Sequence, residues 1–267
     1  MPDRKTALIT GASFGIGLEL ARIFAREGYN LVLVARSGDK LRLLAAELEK
    51  AHSTRSLILS VDLSEAGSAA YVVDQTIRAD LAVDVLVNNA GFGQYGFFAE
   101  SDLEECLRQI QLNVTTLTHL TRLYLPGMIE RARTENTPCR ILNVASTAAF
   151  QAGPLMAVYY ATKAYVLHFS EAIANELQGT GVTVTCLCPG PTATEFQERT
   201  NITGIRLTTY GTMDARSVAE DGYRALMAGK PVVISGFKNW LVAQSVRFAP
   251  RRMVTAIARK LQESKSS

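Results

Sequence analysis

Tyr159 and Lys163 stand four residues apart in VYYATKAYVLHFSEAIANEL, a segment of helical period. That spacing puts both side chains on one face of a helix, so the ammonium can approach the phenol. An unperturbed tyrosine titrates at about 10, too high for efficient proton exchange near neutral pH. A nearby positive charge favours the phenolate, and each unit of lowering corresponds to about 1.4 kcal/mol. The pair is therefore expected to move a proton, although a surface tyrosine above a surface lysine has the same spacing. Tyr160 has Ala164 four residues on, so only Tyr159 has the lysine.

A second constellation suits a phosphate. Thr10-Gly11-Ala12-Ser13-Phe14-Gly15-Ile16-Gly17 follows a strand-like run and opens a helix-like one. Glycine there permits a tight turn, close backbone approach to a pyrophosphate and close packing of helix on strand. The helix start then offers unpaired N–H groups to the phosphates. The next strand ends in Ala35-Arg36, with Lys40 one turn further on, where an NAD site would place an acidic residue. A guanidinium can hold a 2′-phosphate that a carboxylate would repel, so NADPH is expected over NADH.

These residues need elements to position them. Apolar runs of strand length (5–10, 30–35, 56–62, 83–89, 140–146, 182–188 and 231–235) alternate with helical patterns such as Gly15–Glu27, 39–51 and 64–79. Near-continuous Val/Ile/Leu strands are expected when helices cover both faces of a parallel sheet. The fold class is therefore α/β, a doubly wound Rossmann-type parallel sheet of about seven strands with helices on both faces. No linker, repeat or low-complexity stretch divides the 267 residues, which read as one domain. The aperiodic stretch from about 190 to 214 reads as a substrate lid.

Taken together and in order, the motifs resemble the short-chain dehydrogenase/reductase family, in its compact single-domain form. Thr10–Gly17 matches the family's T-G-x-x-x-G-x-G turn, and Asn88-Asn89-Ala90-Gly91 its N-N-A-G after the fourth strand. Asn113 in QLNVTT, Ser146 in NVAST, Tyr159 with Lys163, and Pro189-Gly190 complete the pattern over roughly residues 5–195. The resemblance implies an oxidoreductase that reduces a carbonyl (ketone, aldehyde or 3-oxoacyl group) to an alcohol, with Tyr159 as the general acid. It implies that Lys163 lowers the tyrosine's pKa and holds the nicotinamide ribose, and that Ser146 hydrogen-bonds the substrate oxygen. Asn113 would position a water that links Lys163 to solvent. Gly11, Ser13, Phe14, Gly15, Ile16 and Gly17 would cradle the cofactor, Asp62 and Leu63 would meet the adenine, and Asn89, Ala90 and Gly91 would line the cleft. Pro189, Gly190, Thr192 and Thr194 would grip the nicotinamide side. Thr192 stands where the family often has valine or isoleucine. Phe14 stands where NADP-preferring relatives sometimes carry a basic residue, which leaves Arg36 as the main 2′-phosphate contact.

Phe92, Tyr95, Phe97 and Phe98, with Phe150, Leu155, Met156 and Phe196, fall where an apolar substrate pocket would lie. The same residues would also serve to pack the lid and its neighbouring loops. Alternative readings are an NAD(P)-dependent alcohol dehydrogenase working oxidatively and a non-catalytic NADPH-binding redox sensor or scaffold. The second has no need of a poised phenol. Epimerases and dehydratases of this fold generally need a larger substrate domain.

Composition bounds the partners. The formal charge is +3, too small to argue for nucleic acid. From Gly236 onward, however, seven basic residues face the single Glu263. That basic helical tail (about 236–267) is either a solvated amphipathic helix seated on the domain or a patch that touches a membrane surface or an acyl carrier. Cys106, Cys139, Cys186 and Cys188 lack metal-ligand spacing and read as small core residues. No apolar run reaches the ~18–20 residues of a membrane span, and nothing resembles a signal peptide, so a soluble cytoplasmic protein is expected. Phe169, Ile173 and Leu177 extend the Tyr159 helix, and similar proteins use such a helix to form a homodimer or homotetramer.

Overall fold

Seven short parallel strands carry many of the fully buried valine, isoleucine and leucine side chains, and the helices packed on them carry the rest. The computed structural model describes residues 4–195 and 211–263. The strands are β1 (Thr6–Thr10), β2 (Asn30–Ala35), β3 (Ser56–Ser60), β4 (Val85–Asn88), β5 (Cys139–Val144), β6 (Val182–Cys188) and, last, Val232–Ile234. Their spatial order is β3-β2-β1-β4-β5-β6 with Val232–Ile234 at the far edge. The doubly wound α/β sheet expected from the alternating pattern is therefore present.

Period-two alternation decides which helix each strand residue meets. Ala7, Ile9, Leu31 and Leu33 face a core closed by α1 (Gly15–Arg26), α2 (Gly38–His52) and the helix Ala215–Met227, where Phe24, Leu41 and Val218 are fully buried. Leu8, Val32, Val34 and Leu86 face the opposite core. It is closed by α3 (Ser68–Arg78), α5 (Leu117–Thr134) and α6 (Ala157–Glu176) through Val72, Leu120 and Ile173. Emptying the Phe24 site by an alanine substitution costs about 3–5 kcal/mol.

Two local features bear on function. First, α4 (Leu103–Ile110), capped by the Asp102 carboxylate, runs into a π-helical stretch, Gln111–Thr116, before α5 begins. π turns are rare and concentrate at functional sites. Second, β7 (Thr192–Ala193) pairs with β8 (Met213–Asp214) and joins the two ends of the aperiodic stretch. The body of the expected lid, with Phe196, lies outside the described residues.

Cys186 and Cys188 are completely buried with their sulfurs 3.8 Å apart, and Cys106 and Cys139 are buried as free thiols. Among the described residues no helix is long and apolar enough to cross a membrane.

Candidate active site

The segments that follow β1, β2, β4, β5 and β6 all emerge at the carboxyl edge of the sheet, where they line a cavity of about 580 Å³. The strand order reverses between β1 and β4, the crevice in which open α/β sheets bind ligands. β2 and β3 lie to one side of that point, so Arg36 and Asp62 form one end of the cleft. Ser146, Tyr159 and Lys163 form the other, beyond β5.

At the first end the glycine turn is clamped from across the switch point. Gly11 has φ +68°, a left-handed conformation that glycine adopts without penalty. Asn89 Nδ2 donates to the carbonyls of Thr10 (2.9 Å) and Gly11 (3.3 Å). Thr10 Oγ1 in turn accepts from the backbone N–H groups of Asn89 and Ala90. Gly17 does not line the cleft; it lets helix and turn touch, since a Cβ there would stand 2.3 Å from the Gly11 oxygen. The side chain of the N-cap residue Phe14 makes no capping hydrogen bond to α1, and no acidic residue occupies the helix's first turn. Its amino end is therefore suited to an anion.

Arg36 lines the cleft with its side chain 59% exposed and Nη1 3.8 Å from Asp62 Oδ2, a loose surface pair worth little by itself. Asp62 is held more closely, by Arg108 Nη2 at 3.1 Å and by the backbone and hydroxyl of Ser64. Burial opposes its charge, but the Ser64 hydrogen bonds and the Arg36 and Arg108 charges outweigh burial. The carboxyl therefore sits below its ordinary range. Lys40 is a correction: it is not on the cleft wall, and its ammonium lies 3.1 Å from Glu195. Sequence reasoning missed Ser37, Ser64, Glu105 and Arg108, all of which line the cleft. Ser37 is the N-cap residue of α2 and Asp62-Leu63-Ser64 forms an Asx-type turn, so both had local signals.

At the other end, α6 presents Tyr159 and Lys163 to the cleft, and Ser146 caps the short 3₁₀ turn Thr147–Phe150 by accepting from Ala148 N at 3.1 Å. Lys163 is buried and donates to the Val144 carbonyl at 2.8 Å, with Nζ 5.8 Å from the centre of the Tyr159 ring. Burial brings its pKa down to about 8. The same burial pushes the Tyr159 phenol well above its ordinary value, and a hydrogen bond with Ser146 recovers only part of the shift. In the cofactor-free chain desolvation wins, because the ammonium is turned to a backbone carbonyl rather than to the phenol oxygen.

Asn113 sits within the π stretch, 2% exposed and behind the wall of the cleft. Its Nδ2 donates to the Phe92 carbonyl (2.9 Å) and Thr162 Oγ1 (3.1 Å), and its Oδ1 accepts from Phe92 N. A side-chain carbon added at Gly91 would stand 3.0 Å from Asn113 Oδ1 and 3.4 Å from Lys163 Nζ, so both polar groups converge behind that glycine. The other expected contacts, namely Ser13, Phe14, Gly15, Ile16, Leu63, Ala90, Pro189, Gly190, Thr192 and Thr194, line the cleft together. Of the expected substrate residues, Phe92 and Met156 line it too. Tyr95, Phe97, Phe98 and Leu155 line an adjoining cavity of about 430 Å³. Among the described residues no cluster of His, Cys, Asp or Glu could hold a metal ion.

The family model described as short chain dehydrogenase matches residues 5–203. The chain belongs to the short-chain dehydrogenase family. A very-long-chain 3-oxoacyl-CoA reductase of Phaeosphaeria nodorum is 36% identical over 70% of this chain and 54% of its own length. The chain thus spans between half and two thirds of the curated relatives it matches. A short-chain dehydrogenase from Sphingobium yanoikuyae, solved with NADPH, is 30% identical with a TM-score of 0.78, covering 98% of this chain and 100% of that one. A 3-ketoacyl-(acyl-carrier-protein) reductase from Brucella melitensis, solved with NADH, is also 30% identical, with a TM-score of 0.75 and coverages of 87% and 97%. Solved relatives therefore hold either nucleotide.

Proposed function

We propose that this chain is an NADPH-dependent reductase of an apolar ketone, aldehyde or 3-oxoacyl group. The observation that carries the reading is the convergence of Ser146, Tyr159 and Lys163 on the same cleft as Arg36 and the clamped glycine turn. The cleft fits the nucleotide by its chemistry: a helix start with no acidic residue in its first turn for the pyrophosphate, and Arg36 beside the Ser37 N-cap of α2 for a 2′-phosphate. When bound, NADPH supplies the hydride.

The chain's own residues supply the proton and hold the oxygen. Ser146 hydrogen-bonds the substrate oxygen and stabilises the negative charge that develops there. Tyr159 gives its phenolic proton to that oxygen, and a tyrosine's ordinary pKa of about 10 already keeps that proton in place at neutral pH. That state suits reduction, whereas oxidation begins from phenolate. Lys163 and Asn113, converging behind Gly91, are placed to return a proton to Tyr159 from solvent. The 3-oxoacyl class draws support from the 3-oxoacyl and ketoacyl reductases among the relatives and from Phe92 and Met156 on the cleft wall.

The test titrates the protein with NADPH and NADH, and follows NADPH oxidation with a 3-oxoacyl thioester and an apolar ketone. Arg36→Ala is expected to weaken NADPH binding about 10- to 100-fold while leaving NADH binding unchanged, the range of a charge-assisted hydrogen bond. Tyr159→Phe should lower kcat about 10²–10⁴-fold with NADPH binding retained. Equal affinity for both nucleotides, or a Tyr159→Phe variant of undiminished turnover, would overturn the reading.

A further inference from the structure

Two consecutive helices near the C-terminus, Phe237–Ser245 and Arg251–Gln262, leave large apolar side chains exposed. The helix Phe237–Ser245 fully buries Ala243 alone, while Phe237 is 72% exposed and Trp240 45%, their rings stacked 5.9 Å apart. Phe248, in the turn that follows, is 89% exposed. The helix Arg251–Gln262 buries Ala258 and Gln262 and turns Met253 and Ile257, one helical turn apart, outward at half exposure. Single exposed apolar residues need no explanation, but a run of this size on one segment marks an interaction surface.

Charge selects the occupant. Lys238, Arg247, Arg251, Arg252 and Lys260 are exposed on the same segment. Its one carboxylate among the described residues, Glu263, is taken up by Arg259 at 3.0 Å. A second copy of the chain across a two-fold axis would set these like charges against one another. A partner with an apolar interior and an anionic face satisfies both halves of the pattern. We infer that residues 237–260 dock on the surface of an anionic lipid bilayer, with the aromatic and aliphatic side chains at the acyl boundary and the basic groups among the headgroups.

The docking segment is tied to the substrate end of the cleft. Tyr95 donates its hydroxyl to the Gln262 carbonyl at 2.6 Å, and Arg259 lies over the Phe97 ring at 5.1 Å. The Gln262 side chain adjoins Tyr160, next to Tyr159 in sequence. Phe98, 66% exposed beside these contacts, continues the apolar surface to the adjoining cavity, which shares Phe92 and Met156 with the cleft. A chain held this way keeps the apolar end of its site beside the lipid. The inference stands apart from the reductase reading, because its readout is binding and not turnover.

Trp240 is the only tryptophan in the chain, so its emission reports on the surface directly. The full chain would be titrated with vesicles of phosphatidylcholine alone and with an equal mixture of phosphatidylcholine and phosphatidylglycerol, with co-sedimentation measured alongside. The expected result is a blue shift and sedimentation with the anionic vesicles only, both weakened by salt. Arg251→Gln with Arg252→Gln should weaken binding roughly 25-fold, about fivefold per charge. Phe248→Ser should weaken it too, with Tm unchanged in either variant. Indifference to lipid charge would overturn the inference. So would emission already blue in the free protein and unresponsive to vesicles, because the face would then be covered by the chain itself or by a second copy.

Discussion

At the nucleotide end of the cleft, the Asn89 amide and the Thr10 hydroxyl lock onto backbone groups of the glycine turn and of residues 89 and 90, and an added carbon at Gly17 would come within 2.3 Å of the Gly11 oxygen. At the substrate end, Tyr95, Met156, Tyr160 and Gln262 come from three separate segments, and the bond that closes that end joins residues 167 apart in sequence. The first end is fixed by hard sterics among chain neighbours of the switch point. The second is fixed by side chains of remote segments that happen to pack. A family can vary its substrate by changing the second while the first stays as it is.

The contrast breaks most visibly at Gly17. Gly17→Ala pushes a carbon into the Gly11 backbone and the Asn89 side-chain amide, so the turn or the helix must move. A stability loss of about 1–3 kcal/mol and a tenfold or greater rise in the Kd for NADPH are expected. Isothermal titration and urea unfolding check both. Unchanged NADPH affinity would mean that the turn has slack.

Lys163 sharpens the comparison by setting function against stability. Its folded pKa of about 8 lies below its ordinary 10.5, so below pH 8 the folded chain bears the cost of a buried ammonium that the unfolded chain does not. That cost fades as pH rises from 8 towards 10.5, where the unfolded chain binds more protons than the folded one. Lys163→Met, which removes the charge but also leaves the Val144 carbonyl without its donor, is expected to gain on the order of 1–2 kcal/mol at pH 7. The gain should shrink by pH 9.5 while activity is abolished. Denaturation midpoints at the two pH values decide it, and a gain that did not shrink would point away from the lysine's charge.

The smallest effect belongs to Tyr95→Phe. Losing the hydroxyl removes one hydrogen bond to the last helix, about 1 kcal/mol. Hydrogen exchange should quicken in residues 251–262 and not in α1. Uniform quickening would show that the two ends unfold together.

Much of this was legible before any coordinates. Continuous apolar runs gave seven parallel strands whose observed limits differ from the expected ones by only one or two residues, because burial on both faces leaves little choice of residue. The clustering of Ser146, Tyr159 and Lys163 followed from motif order. What escaped were facts of direction. Four-residue spacing puts Lys163 beside Tyr159 but is silent on which acceptor its ammonium takes, and Val144 took it. Lys40 sits one turn beyond Arg36 yet turns to Glu195, from a segment 155 residues away. Arg108 reaches Asp62 across 46 residues of sequence, a contact that no local pattern announces. The tail read first as a solvated amphipathic helix seated on the domain and only second as a membrane or acyl-carrier patch, and its exposed outer face is what favours the proposed docking surface.

The sheet itself has a further consequence. Its order joins two runs of strands at a single seam, where Ala7, Leu8 and Ile9 of β1 pair with Val85, Leu86 and Val87 of β4. A nucleotide bound across the cleft as proposed would touch loops from both runs, and so would fasten the joint that unfolding must open. At a hundred times its Kd such a ligand raises the apparent stability by about 2.7 kcal/mol. In a cell, where proteases sample the opened chain, the supply of reduced nucleotide would then govern how long each copy of the protein survives as well as how fast it works.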